Sequence, residues 1–222
     1  MTDLPKAEAV LFDYGGVLTT PVHDSIDAWL HRDGIRPESF SRTLKAWMSR
    51  SAADGTPVHR LETGAMAVAE FEGLMAAELV TYDGSPVAAN GLLARLFAGM
   101  DPEPRMLALV RDVRALGLRT VLLSNSWGNT YPRALLAELF DAVVISGEVG
   151  LRKPDPRIYR LALDKAGVEA GDAVFIDDAE PNEAAAAALG LQTVLHTDPS
   201  RTRQQLAALI PDLAATAVPP RV

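Results

Sequence analysis

The stretch Ala9-Val10-Leu11-Phe12-Asp13-Tyr14-Gly15-Gly16-Val17-Leu18 decides how the rest of the chain is read. Four apolar residues run straight into one aspartate, and a Tyr-Gly-Gly turn follows at once. By length and residue type the apolar run reads as a buried strand, not a helix. An ionised carboxylate at the end of such a strand is costly to desolvate unless a cation or several donors meet it. In an open parallel sheet, ligands bind at the carboxyl ends of the strands. Asp-x-Gly is also ordinary turn composition, so Asp13 gains functional meaning only from what converges on it.

Downstream of this strand, Val22 to Val80 reads almost wholly helical. Ile26, Trp29 and Leu30 stand at i, i+3, i+4 after the capping residues Asp24 and Ser25, and Gly34 ends the segment. Pro37 opens a second helix with an apolar stripe of Phe40, Leu44, Trp47 and Met48. A third is expected from Ala65 to Leu79, with Met66, Phe71, Leu74, Met75 and Leu79 facing inward. A turn-rich break follows over Thr81 to Pro86, then a short helix from Leu92 to Phe97.

From Arg105 onward strands and helices alternate. A helix over Arg105–Leu116 leads to strands at Arg119–Ser124 and Ala142–Ile145. A helix over Pro156–Ala166 precedes a strand at Ala173–Asp177, and an alanine-rich helix over Pro181–Leu189 precedes a last strand at Gln192–Leu195. Arg201–Ile210 is the last helix, and the tail Ala217-Val218-Pro219-Pro220 is expected to be loose. The alternation predicts an α/β fold, a doubly wound parallel sheet with helices on both faces. The first strand belongs to that sheet, so the helices between are an insertion. The expected division is an α/β core of residues 1–18 and 100–222 and an all-helical cap of residues 19–99. An insertion that leaves the sheet just after a strand-end carboxylate sits over it and makes a natural lid.

Composition narrows the function classes. At 222 residues, 48% hydrophobic and 23% charged, the chain suits one large core, or a core with a smaller insertion. A net charge of -8 argues against nucleic acid or an acidic membrane surface as the main partner. The absence of cysteine excludes disulfides and thiolate metal sites. Met1–Lys6 lacks the basic start and long apolar stretch of a signal peptide, and no apolar run approaches the ~20 residues that span a bilayer. The expected location is cytoplasmic. Oligomeric state leaves no mark in the sequence.

Four strand ends carry chemistry. Asp13 closes the first strand, Ser124 the second, and the Asp177-Asp178 pair the fourth, while Lys153 lies on the loop after the third. A parallel sheet brings these points to one edge. Three carboxylates there repel one another without a divalent metal. Oxygen ligands with no nearby histidine or cysteine suit Mg²⁺. Mg²⁺ with a lysine and a serine is an arrangement for holding a phosphoryl group. Taken singly, Ser124 reads as a strand-end cap, Lys153 as a surface charge and Asp177-Asp178 as a helix cap; their order at successive strand ends is what gives them weight.

With these residues quoted, the sequence resembles the haloacid dehalogenase superfamily, in the branch with a helical cap inserted after the first strand. Phe12-Asp13-Tyr14-Gly15-Gly16-Val17-Leu18 is similar to its first motif and Leu122-Leu123-Ser124-Asn125-Ser126 to its second. Gly150-Leu151-Arg152-Lys153-Pro154-Asp155-Pro156 resembles the third, and Phe175-Ile176-Asp177-Asp178-Ala179-Glu180-Pro181-Asn182 the fourth. Ser-Asn-Ser-Trp-Gly, with Trp127, resembles the phosphatase-type N-terminal domain of soluble epoxide hydrolases. The resemblance implies that Asp13 is a nucleophile forming an aspartyl-phosphate that water then cleaves. It implies that Ser124, Asn125, Lys153, Gly15 and Gly16 bind the phosphate of a small phosphorylated metabolite. Asp178 would ligate Mg²⁺ with Asp13 and the Gly15 carbonyl, Asp177 would act directly or through water, and Asn182 would support them. Trp29, Trp47 and a loop around Arg60 to Gly64 would choose the substrate.

One departure stands out. Phosphatases of this family usually carry a second aspartate two positions after the nucleophile as general acid and base, and here that position is Gly15. Dehalogenases of the family also lack it, because a departing halide needs no proton, but they do not need the acidic pair Asp177-Asp178. That pair favours phosphate chemistry over carbon–halogen cleavage. Two further alternatives are a phosphonate hydrolase using Lys45, the only lysine of the cap, and a non-catalytic ligand-binding relative.

Overall fold

The computed structural model describes residues 7–48, 55–128 and 131–216. The expected loose tail and the Met1–Lys6 segment lie outside them. In chain order the elements are β1 (Ala9–Phe12), then helices α1 (Val22–Arg32), α2 (Pro37–Met48), α3 (Pro57–Glu62), α4 (Val68–Glu78), α5 (Leu92–Leu96) and α6 (Pro104–Ala115). They continue with β2 (Arg119–Ser124), α7 (Arg133–Leu139), β3 (Ala142–Ile145), α8 (Ser146–Val149) and α9 (Pro156–Ala166). β4 (Ala173–Asp177), α10 (Glu180–Ala188), β5 (Gln192–Leu195) and α11 (Pro199–Leu209) complete the set, with short 3-10 turns at Ala170–Asp172 and Pro211–Thr216.

The five strands form one parallel sheet in the order β3-β2-β1-β4-β5. β1 is central, and alternate side chains feed opposite faces: Val10 and Phe12 join one buried cluster with α6, α7 and α11, Ala9 and Leu11 the other with α9 and α10. Burial on both faces is why β1 is a continuous apolar run instead of an alternating one. The chain order moves outward in one direction through β2 and β3 and in the other through β4 and β5. The crevice where that order reverses opens between the ends of β1 and β4, which carry Asp13 and Asp177-Asp178.

Local signals explain the crossover helices. In α9 the Asp155 side chain accepts from the Arg157 N–H, Pro156 takes the first helical position, and Gly167 closes the helix in the left-handed region. Helices α1–α5 pack around their own cluster of Trp29, Phe40, Phe71, Met75 and Leu92, and make the helical cap. Its entry and exit run side by side: Thr20 N–H donates to the Asp101 carbonyl and Glu103 N–H to the Leu18 carbonyl. Among the described residues no helix is long and apolar enough to cross a membrane.

Several expectations are corrected. The third cap helix begins at Val68, not Ala65, and Leu74 is 42% exposed on its outer face. Part of the stretch expected as a loop around Arg60 to Gly64 is helix α3, capped by the Thr56 hydroxyl accepting from His59 N–H. Helices α7 and α8 leave no sign in the sequence; at seven and four residues they are too short for a hydrophobic period to show.

Candidate active site

Lys153 is the hub. Its side chain is 1% exposed, and Nζ lies 2.7 Å from Asp13 Oδ1 and 2.6 Å from Asp177 Oδ2. Burial alone disfavours the ammonium, but the two carboxylates outweigh it and raise its pKa. Its backbone is clamped too: Lys153 N–H donates to Asn125 Oδ1 (2.8 Å) and Asn125 Nδ2 donates to the Lys153 carbonyl (3.0 Å). The loop after β3 is thereby tied to the end of β2.

Adjacent in sequence, Asp177 and Asp178 have different surroundings. Asp177 is fully buried and filled with donors: Lys153 on Oδ2, the Ala179 N–H on Oδ1 at 2.8 Å, and Asn182 Nδ2 on both oxygens at 3.1 and 3.2 Å. Asp178 turns out of the strand into the crevice, and no side-chain donor among the described residues reaches it. A Cβ on Gly16 would collide with the Asp178 carboxylate, and Gly16 also sits at φ +77°, so both close approach and backbone conformation require glycine there.

Asp13, Asp177 and Asp178 each present a carboxylate oxygen within 4.8 Å of the others. Burial, the largest influence on Asp13, raises its pKa; Lys153 lowers it, Asp177 and Asp178 raise it again, and it is pushed up to about 7. Asp178, although exposed on the crevice wall, is pushed up to about 6 by partial desolvation of its carboxylate and by Asp177. One ammonium against three carboxylates is a deficit of positive charge. A hard divalent cation fits this all-oxygen donor set, and Asp13 and Asp178 could hold it with oxygens that Lys153 does not use.

Ser124 is buried, its hydroxyl 3.0 Å from the Tyr131 hydroxyl. Burial pushes the Tyr131 phenol up to about 12, so it stays protonated and able to donate. Gly15 and Asn125 stand on the wall of a cavity of about 600 Å³ between cap and core, together with Asp13, Lys153, Asp178 and Asn182. Trp29 does not reach that cavity. It is fully buried in the cap, donating to Asp33 Oδ2, which corrects its expected part in substrate choice. Trp47 packs edge-on against Phe71, and Lys45 is exposed and off the cavity wall.

Sequence reasoning missed the other side of the cavity. Glu62, at the end of α3, is buried against the core, where it pairs with Arg152 and accepts from Trp127 Nε1 at 2.9 Å. The Glu62 carbonyl accepts from the Ser146 hydroxyl at 2.5 Å, and a Cβ on Gly64 would come within 2.5 Å of the Gly147 carbonyl. Arg152 was visible as the neighbour of Lys153. Nothing in the sequence points from it to Glu62, 90 residues earlier.

Residues 7–190 match the haloacid dehalogenase-like hydrolase family. The chain belongs to that family. It is 28% identical over 208 residues to Acyl-CoA dehydrogenase family member 10 of Mus musculus and 27% identical over 213 residues to Bifunctional epoxide hydrolase 2 of Sus scrofa. Those matches cover 91% and 89% of this chain but only 19% and 38% of the two relatives, so the chain spans a minor part of each. Phosphatase MT3486 of Mycobacterium tuberculosis is 29% identical over 217 residues, covering 93% of this chain and 95% of that protein. The fold matches a HAD family enzyme from Bacteroides thetaiotaomicron, crystallised in complex with magnesium and inorganic phosphate, with a TM-score of 0.65 at 21% identity, over 86% of this chain and 94% of the other.

Proposed function

We propose that this haloacid dehalogenase-like hydrolase removes phosphate from a small phosphorylated metabolite through an aspartyl-phosphate on Asp13, with Mg²⁺ as cofactor. The observation that carries the reading is the floor of the cavity: Asp13 is anchored through one oxygen by Lys153, with the Asp178 carboxylate beside it and no side-chain donor on it among the described residues. The similarity to Phosphatase MT3486 along nearly its whole length supports phosphate as the group transferred. The core is taken as residues 1–18 and 100–222 and the cap as 19–99.

In this mechanism Asp13 attacks phosphorus, the bond from phosphorus to the leaving oxygen breaks, and water then cleaves the acyl-phosphate. Lys153 orients Asp13 and stabilises charge on the phosphoryl oxygens. Asp177 acts by holding Lys153, because its own oxygens are already used. Ser124 and the backbone of Asn125 bind a phosphoryl oxygen, as does the turn amide at Gly15, whereas the Gly16 N–H expected to join them is already given to the Thr19 hydroxyl at 3.0 Å. Asp13, Asp178 and the Gly15 carbonyl would hold Mg²⁺, which when bound neutralises charge on the transferred group. Gly15 offers no side chain to protonate the leaving oxygen or to activate water. General acid catalysis is worth roughly 10²–10⁴ in rate, so activated esters such as aryl, acyl or anomeric sugar phosphates should be preferred over simple alkyl ones.

A series of monoesters with graded leaving-group pKa, with a burst measurement of product, tests this. A steep dependence and an accumulating aspartyl-phosphate are expected. A flat dependence with no burst would show that another group supplies the proton.

A further inference from the structure

The floor and the roof of the cavity differ in chemistry, and the roof bears on the leaving group. Val22, Ile26, Leu44 and Phe97 line the cap side of the cavity, with Met100 where the chain returns to the core, and all five are partly exposed, while the large apolar side chains of the cap's own centre are fully buried. Trp127 extends the apolar wall onto the core. An apolar surface left open next to polar catalytic groups favours a hydrocarbon portion in its ligand.

Charge sharpens this. Among the described residues of the cavity wall stand three carboxylates, Asp13, Asp178 and Glu62, against two fixed cations, Lys153 and Arg152, with Asp177 buried behind Lys153. Lys153 is committed to Asp13 and Asp177. Arg152, the other cation on the wall, is committed to Glu62, whose carboxylate is 3% exposed and further held by Trp127. The remaining titratable side chain on the described wall is His59. A leaving group carrying a carboxylate would therefore enter an apolar chamber in which the nearest guanidinium is already neutralised. A buried charge without a partner is strongly disfavoured.

We infer that the leaving alcohol of the substrate is apolar and uncharged, and that Glu62 is a specificity-determining residue that enforces the second property by neutralising Arg152. The inference rests on the phosphatase reading for the placement of the phosphate, and on the cavity wall for the rest.

The test uses alkylphosphonates, which are not hydrolysed, so that binding is read apart from turnover. Ethyl-, butyl- and hexylphosphonate, and a hexylphosphonate ending in a carboxylate, are measured with Mg²⁺ by calorimetry and as competitive inhibitors of p-nitrophenyl phosphate hydrolysis. Affinity should rise about three- to fourfold per buried methylene. The terminal carboxylate should cost on the order of a hundredfold. Glu62→Gln keeps an acceptor for Trp127 but frees Arg152, and should reduce that penalty roughly tenfold. The double variant Glu62→Gln/Arg152→Gln should restore it. Affinity that does not change with chain length, an equally well-bound carboxylate, or an unchanged ratio in Glu62→Gln overturns the inference. Loss of p-nitrophenyl phosphate hydrolysis with these affinity trends intact would overturn the phosphatase reading alone. Hydrolysis without the trends would overturn the inference alone.

Discussion

The floor of the cavity and its roof come from regions built on opposite terms. The floor is made by strand ends and short loops of the α/β core, and its polar groups hold one another in place: Lys153 by Asp13 and Asp177, its backbone by Asn125, and Asp177 by Asn182. The roof is made by cap helices whose fixed contacts point inward to Trp29 and Phe71, leaving an open apolar face toward the floor. The polar ties from cap to core here, from Glu62 to Arg152, Trp127 and Ser146, lie beside the catalytic groups rather than among them. Chemistry is thus concentrated where the backbone is most constrained. Selection among substrates belongs to the part that can change without disturbing it.

The sharpest way to break this contrast is on the floor. Asp13→Asn should lower turnover by about 10⁴ or more while the fold persists, because the nucleophile is gone but its shape remains. Phosphate release by the variant, with the circular dichroism spectrum as control, checks this. Wild-type activity in Asp13→Asn would end the assignment, and activity unaffected by EDTA would end the metal's role.

Gly15→Asp comes next in size. A Cβ there meets only Val22 at 3.5 Å and Met100 at 3.8 Å, which are ordinary contacts, so the side chain has room to start. Supplying an acid at this position should raise kcat/KM for alkyl monoesters by roughly 10²-fold. Aryl esters should gain much less. Equal gains for both would show that the substitution acts on binding, not on proton transfer.

Asp177 and Asp178 separate support from ligation. Asp177→Ala should cost about 3 kcal/mol of stability, since buried Lys153 loses one of its two partners. Asp178→Ala should spare stability yet weaken Mg²⁺ dependence of activity more than Asp177→Ala does. Denaturant midpoints and Mg²⁺ titrations of both variants test this, and a larger metal effect at Asp177 would reverse the assignment.

The smallest effect lies in the roof. Asp33 accepts from Trp29 Nε1 and Arg95 Nε, both at 2.8 Å; burial raises its pKa, and these donors with Arg32 lower it further than burial raises it. A depressed folded pKa stabilises above the unfolded value and is lost as pH falls through the folded one. Asp33→Ala should therefore cost about 1–2 kcal/mol at neutral pH. The gap to wild type should shrink once pH falls below about 3.9. Unfolding at pH 7 and pH 3 measures it, and a pH-independent gap would mean that packing, not the carboxylate, supports the cap.

What was legible in the sequence depended on short-range physics. A four-residue apolar run must be buried on both sides, glycine after Asp13 must turn, and strands alternating with helices can pair only in parallel, so the sheet and the convergence of Asp13, Ser124, Lys153 and Asp177-Asp178 on one edge could be read without coordinates. Helices α3, α7 and α8 escaped because one or two turns carry too few apolar positions to show a period. The division of labour between two adjacent aspartates was decided only by the fold. Alternation at a strand end sends one inward to Lys153 and Asn182 and the next outward into the crevice. The tertiary structure likewise buried Trp29 in the cap instead of the cavity, and brought Glu62 to Arg152 across 90 residues of chain. Such pairings follow from the docking of one region on another, for which no local pattern of residues is a sign.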